Sequence, residues 1–237
     1  MAIVSIRYTG GMPLPAEPVS RRDRPAKPPL SRRSILDATL GLIRERGVEA
    51  VTLRDVAAAV NTGPASLYAY FGGRDVLLEH ALDDVYAGIE LVAPVDGDWR
   101  AALAATVVNT VDALESFPGL GAVALGTIPT LPGALRLAEH ELALMEAGGI
   151  PDADAALAVD LIAQFAASTA VERTVRDRSA VAGIPDSDAL AVYSTADPEL
   201  FPRVRRLAPA LTGADERRRR DFAIDVMISG LTSISRA

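Results

Sequence analysis

The fold class this chain predicts is all-α, and three observations predict it. Apolar residues recur at helical spacing along most of its 237 residues. No stretch alternates apolar and polar side chains as a half-buried strand would, and no internal repeat stands out. Glycine and proline punctuate the periodic segments near their ends.

The elements follow in order. Ile35, Ala38, Thr39, Leu42 and Ile43 share one face of a first helix that stops at Gly47. Thr52, with Asp55 three residues on, opens a second helix whose apolar positions are Leu53, Val56, Ala57 and Val60. After Asn61-Thr62-Gly63 comes a short third helix, Pro64–Tyr70. It starts with proline in its first turn, where the missing N–H costs nothing. Gly72-Gly73 ends it. A long fourth helix, Arg74–Glu90, turns Leu77, Leu78, Ala81, Leu82, Val85 and Ile89 inward. Further helices are expected near 98–116, 119–126, 132–147, 152–178, 198–208 and 214–234, with a loop over 179–197.

Composition narrows the class. Hydrophobic residues make up 49% of the chain and cysteine is absent, which fits a soluble globular protein of a reducing, cytoplasmic compartment. Ala2–Ile6 is too short for a secretory signal and is broken by Arg7. Ser116–Leu135 carries no charge, but Pro118, Pro129, Pro132 and four glycines interrupt it. It reads as short buried helices and turns, with no membrane partner implied. Net charge is −7, yet it is unevenly spread. Residues 1–60 carry ten Lys/Arg against six Asp/Glu, net +4, and residues 61–237 carry fourteen against twenty-five, net −11. Residues 1–30 hold six prolines and little periodicity, with Arg21, Arg22, Arg24 and Lys27 among them. Such a segment buries too little surface to offset its ordering entropy. Both a phosphate-contacting arm and a plain solvated tail fit it.

The second and third helices, three turn residues apart, have helix-turn-helix proportions. Ala57–Ala59 are small enough for close crossing, and Leu67 and Phe71 anchor the third helix. Its remaining faces are then free to meet a groove. An ordinary αα-hairpin has the same spacing, so this reading stays open on spacing alone.

At these residues the chain resembles the TetR-type DNA-binding domain. The resemblance runs over Ile35–Leu78: Ile-Leu-Asp-Ala in helix one, Thr-Leu-Arg-Asp-Val-Ala opening helix two, then Ser66-Leu67-Tyr68-Ala69-Tyr70-Phe71 followed by Gly-Gly-Arg-Asp-Val-Leu-Leu. Phe201–Leu211 and Phe222–Leu231 look like the end of the ligand-binding half of tetracycline-repressor-like members. Behind the arm that composition suggests at 1–30, the resemblance implies a DNA-binding domain at 31–78 and a ligand-binding and dimerisation domain at 79–237. It implies a homodimer that binds a palindromic operator as a repressor and is released by a small-molecule effector, with no cofactor, no metal and no enzymatic activity.

The resemblance also assigns residues. Thr52, Arg54, Thr62, Gly63, Pro64, Ala65, Ser66, Tyr68, Ala69, Tyr70 and Arg74 form the expected DNA contact set. Arg54 offers a guanidinium fork suited to guanine O6/N7. Tyr68, Tyr70 and Arg74 are expected on phosphate, which fixes register without reading sequence; for the tyrosines, core packing is the alternative. Gly63-Pro64-Ala65 departs from the longer polar side chains many members carry, so operator shape shares the readout.

In the larger half no nucleophile elbow or phosphate loop stands in a supporting context. Thr106, Thr110, His140, Gln164, Phe165 and Ser168 are the candidate effector-lining residues in an otherwise apolar interior, a composition that also suits an ordinary core. Leu157 and Leu161 in one long helix and Phe222 and Val226 in the last are the candidate dimer contacts, as in an isologous four-helix interface. The contrasting function is a helical binding protein that sequesters a ligand or docks a protein.

Overall fold

Ser31 sets the start of the first helix, α1 (Arg32–Arg46). Its hydroxyl accepts from the Ser34 N–H, and the Ser34 hydroxyl accepts in return from the Ser31 N–H, both at 3.1 Å. Thr52 does the same for α2 (Leu53–Ala59): Asp55 N–H donates to its hydroxyl at 3.2 Å, and its own N–H donates to the Asp55 carboxylate at 2.9 Å. Those bonds to Thr52 hold the Asp55 carboxyl below the usual carboxylate range. The computed structural model describes residues 30–181, 189–213 and 215–234. Among these the chain forms eleven α-helices and one 3-10 turn, Val48–Ala50, with no strand. The arm residues Arg21, Arg22, Arg24 and Lys27 lie outside the described residues.

The remaining helices are α3 (Pro64–Tyr68), α4 (Arg74–Ala87), α5 (Trp99–Glu115), α6 (Leu120–Gly126), α7 (Pro132–Ala147), α8 (Asp152–Val181), α9 (Ala189–Thr195), α10 (Pro202–Thr212) and α11 (Glu216–Ile234). Three sequence expectations need correction. The third helix stops at Tyr68, two residues early, because the Tyr70 and Phe71 N–H groups both turn back to the Leu67 carbonyl. The fourth stops at Ala87, where the Gly88 N–H closes on the Asp84 carbonyl and Arg136 donates to the Ala87 and Ile89 carbonyls. The loop expected over 179–197 contains α9, whose Ala-Leu-Ala-Val-Tyr run favours helix once clear of Pro185 and Pro198.

The chain divides into two compact units, one ending at Glu172 and the other beginning at Arg173. In the first unit α4 touches α1, α5, α6 and α7. One continuous apolar cluster runs from Ile35, Ile43, Val56, Leu67 and Phe71 through Leu78 and Leu82 to Val111, Leu120 and Leu137. The α7 N-terminus lies almost on the α4 backbone, because Gly133 has no side chain. A Cβ there would sit 2.2 Å from the Asp83 carbonyl oxygen. Beside it the Ala134 N–H donates to the Asp83 carboxylate at 2.9 Å.

The corner between α5 and α6 meets the 3-10 turn. The Val48 N–H donates to the Pro118 carbonyl at 2.8 Å, and the Arg44 guanidinium lies 4.6 Å over the Phe117 ring. Gly119, at φ +89°, adopts a backbone that favours glycine, and a Cβ would stand 3.0 Å from Val48 Cβ. Together these fix the helix-turn-helix to the interior of its own unit.

In the second unit α9 packs against α10. Arg173 and Arg176 both donate to the Glu216 carboxylate, at 2.7 and 3.2 Å. Their side chains are largely solvated, so each pair contributes little.

Candidate functional site

The turn between α2 and α3 places Asn61 at φ +56°, a left-handed backbone that asparagine tolerates better than most residues. The Thr62 N–H donates to the Ala57 carbonyl at 2.8 Å and tightens the turn. Leu67 and Phe71 are buried, so the opposite side of α3 faces solvent. That side presents Gly63, Pro64, Ala65, Tyr68 and Ala69, with Thr62 and Ser66 half-buried, and the head of α2 adds exposed Thr52 and Arg54. Tyr68 is 56% exposed although it is large and aromatic. The Arg54 guanidinium has no protein partner among the described residues.

Of the expected contact set, Tyr70 is buried, and half-buried Arg74 uses donors within the protein. Tyr70 is 5% exposed and its hydroxyl donates to the Leu30 carbonyl at 2.8 Å, so it anchors the start of α1. Arg74 donates from Nε to the Val51 carbonyl at 2.9 Å and from Nη2 to the Val48 carbonyl at 2.6 Å. It thereby staples the start of α4 to the 3-10 turn. A fork with several donors suits two carbonyls as well as it suits a phosphate, and sequence spacing does not separate the two.

The candidate effector residues split into two groups. Thr106 and Thr110 are buried on α5, and the Thr106 hydroxyl is 3.3 Å from His140 Nε2 on α7. Gln164 and Ser168 lie exposed on α8, where Gln164 donates to Asp160 at 2.6 Å and Ser168 to the Phe165 carbonyl at 3.0 Å. Phe165 is half-buried against the apolar cluster. The structure brings Thr106, Thr110 and His140 together and leaves Gln164 and Ser168 outside that group, because the inward face of α8 is filled by Ala155, Ala158, Ile162, Ala166 and Ala170.

Sequence reasoning missed two residues of this interior. Glu141 on α7 is 3% exposed, and burial pushes its carboxyl up to about 8. Tyr86 on α4 is buried too, and burial, then the charges of Glu141 and Asp83, push its hydroxyl up to about 12. A signal was present: Glu141 falls between Leu137 and Met145, in line with the inward side of α7.

Residues 35–81 match the sequence model described as "Bacterial regulatory proteins, tetR family", and residues 92–234 match "Tetracyclin repressor-like, C-terminal domain". The chain belongs to the TetR family. It is a transcriptional regulator and not an enzyme. The HTH-type transcriptional repressor DrrR1 of Streptomyces coeruleorubidus is 33% identical over 143 residues, 60% of this chain and 53% of that protein. The crystal structure of apo ActR from Streptomyces coelicolor is 28% identical, covers 88% of this chain and 97% of its own, and superposes with a TM-score of 0.80. ActR in complex with actinorhodin is likewise 28% identical with a TM-score of 0.80, covering 87% of this chain and 97% of its own. These likenesses support a ligand-responsive regulator of the helix-turn-helix class.

The candidate dimer contacts of this TetR-family chain are all solvent-facing. On α8, Leu157 is 72% exposed and Leu161 half exposed; on α11, Phe222 is 70% exposed and Val226 is exposed. In each helix the opposite side is buried, by the alanine row in α8 and by Ile224 and Ile228 in α11. Asp152–Arg178 is also long and apolar enough to cross a membrane, although only a third of its most apolar window is buried.

Proposed function

We propose that the protein is a dimeric repressor that grips a palindromic operator through α2 and α3 and lets go when a small molecule occupies the interior of its first unit. The observation that carries the reading is the solvent-facing surface built by Thr52, Arg54, Gly63, Pro64, Ala65, Tyr68 and Ala69 over a rigid apolar base. Thr62 and Ser66 edge the same surface. Short side chains at Pro64 and Ala65 let α3 approach a major groove closely, and the Ala65 methyl suits a thymine methyl. Ser66 offers a base-edge hydroxyl, Arg54 a guanine-reading fork and Tyr68 a phosphate donor.

The exposed leucines of α8 and the exposed Phe222 and Val226 of α11 are the dimer contacts. Burying such side chains stabilises by roughly 1.5–3 kcal/mol each. The four α8 leucines of a two-fold pair alone offset much of an association cost of about 4–15 kcal/mol, and the α11 contacts contribute separately. A soluble dimer also explains α8 better than a membrane span does, since Asp160 stands exposed about a third of the way along it. A cytoplasmic location follows from contact with the chromosome.

Two recognition helices in successive major grooves lie about 34–36 Å apart. The effector displaces the operator by favouring a dimer with another spacing. The test is a salt titration of binding to the DNA flanking its own gene. Specific binding that weakens steeply with salt is expected, together with a dimer mass in solution. A monomer that binds no DNA at any salt concentration refutes the reading and favours ligand sequestration.

A further inference from the structure

We propose that the interior of the first unit recognises an effector carrying a basic amine on an apolar body, with the Glu141 carboxylate as its counter-charge and the Tyr86 hydroxyl beside it. The inference rests on the reading that this interior takes a small molecule, and it names the chemistry.

Four polar or charged side chains are fully buried among the described residues: Thr39, Thr106, Thr110 and Glu141. The three threonines are satisfied, each donating to the carbonyl four residues earlier. Glu141 is the exception. No hydrogen bond and no opposite charge reaches its carboxyl among the described residues, and its neighbours on the inward side of α7 are Leu137, Leu144 and Met145. Leucine or methionine would serve the apo fold better there, because a buried carboxyl with no partner is unfavourable even when it keeps its proton. Stability lost at a single buried polar position marks a binding group waiting for its partner.

The surroundings select the partner. The Tyr86 hydroxyl on α4 lies close enough to feel the Glu141 charge and likewise has no hydrogen-bond partner among the described residues. Asp83, one turn earlier on α4, is committed to the Ala134 N–H. Held protonated in the interior at neutral pH, the Glu141 carboxyl ionises when a basic amine arrives to take up its proton. An anionic ligand would find no opposite charge beside Glu141 among the described residues, and a neutral hydroxyl would supply a bond without charge. An ammonium supplies both, and charge-assisted bonds are roughly twice as strong as neutral ones. The flanking leucines and methionine favour an apolar body behind the amine.

The experiment uses the full-length protein and three matched probes: 4-phenylbutylamine, 4-phenylbutanol and 4-phenylbutyrate, with affinities from calorimetry. The amine is expected to bind about tenfold more tightly than the alcohol, and the acid most weakly. Glu141→Gln, which keeps the shape, should erase the amine preference while leaving the alcohol within about twofold. Tyr86→Phe should weaken the amine by a few fold. Glu141→Met supplies a second measurement, because it should raise Tm while losing the amine. No amine binding, an equal preference in Glu141→Gln, or a preference for the acid overturns the proposal. Operator binding is read on the same samples. If another small molecule releases the operator while the amine fails, this proposal falls and the regulator reading stands. If no small molecule releases it, that broader reading falls.

Discussion

Arg74 donates to two carbonyls of nearly buried residues, Val48 and Val51, and this makes Arg74→Ala a test of how the DNA-binding helices are held. The substitution removes two charge-assisted hydrogen bonds, each of about 1.5–3 kcal/mol when fully formed. The side chain is half-buried, and water can reach part of the gap it leaves. A net loss of about 2–4 kcal/mol is therefore expected. In a chain of this length each kcal/mol moves Tm by about 2–4 °C, so Tm should fall by about 5–15 °C. The assay pairs thermal unfolding with operator affinity measured well below Tm, for Arg74→Ala and Arg74→Lys. Lysine keeps the charge and loses the fork, so the structure predicts that Lys recovers little of the stability. An unchanged Tm in both variants, with operator affinity lost only in Arg74→Ala, would refute the staple. It would restore Arg74 to the phosphate backbone.

Other predictions separate neighbouring roles. Tyr68→Phe should weaken binding to operator and random DNA alike by about 1 kcal/mol with Tm unchanged, whereas Tyr70→Phe should lower stability by about 1 kcal/mol and leave the affinity alone; a filter-binding and melting series distinguishes them. Gly133→Ala forces α7 off α4, because its Cβ would meet the Asp83 carbonyl at 2.2 Å. A loss of about 1–3 kcal/mol is expected by denaturant titration. Glu141 gives a pH dependence of known sign. Its folded pKa, raised to about 8, lies above the ordinary value of 4.5, so the folded state holds the extra proton between those limits. Its contribution is therefore greatest below pH 4.5 and is lost as pH rises towards 8. Wild type should lose Tm relative to Glu141→Gln across that window, and a constant difference would contradict the burial.

Much of the fold is legible in the sequence because periodicity, caps and breakers agree. The Ser31 and Thr52 boxes, proline at the head of α3 and the apolar rows of α1 and α4 each point the same way. The family of the helix-turn-helix is legible too, since it lives in a contiguous run of residue types. What one dimension hides is where a side chain ends up. Tyr68 and Tyr70 are two residues apart in similar surroundings, yet the chain leaves the helix between them, and one faces water while the other faces Leu30. Gln164 and Ser168 are polar residues in an apolar helix, a pattern that looks the same whether the helix lines an interior or shows that side to solvent. Glu141 escaped for the opposite reason. A charged residue on a helix is usually a solvated one, and only its alignment with Leu137 and Met145 argued otherwise.

The bond from the Val48 amide to the Pro118 carbonyl is made by main chain on both sides. Replacing a side chain does not delete it, so sequence drift around the corner can alter its strength only indirectly, through Gly119, Phe117 and Arg44. The Val48 amide proton is consequently a built-in spectator. It touches neither the outward face of α3 nor the interior around Glu141. Its hydrogen-exchange rate would report, at a single atom, whether the reading head and the body of the first unit open as one piece or come apart.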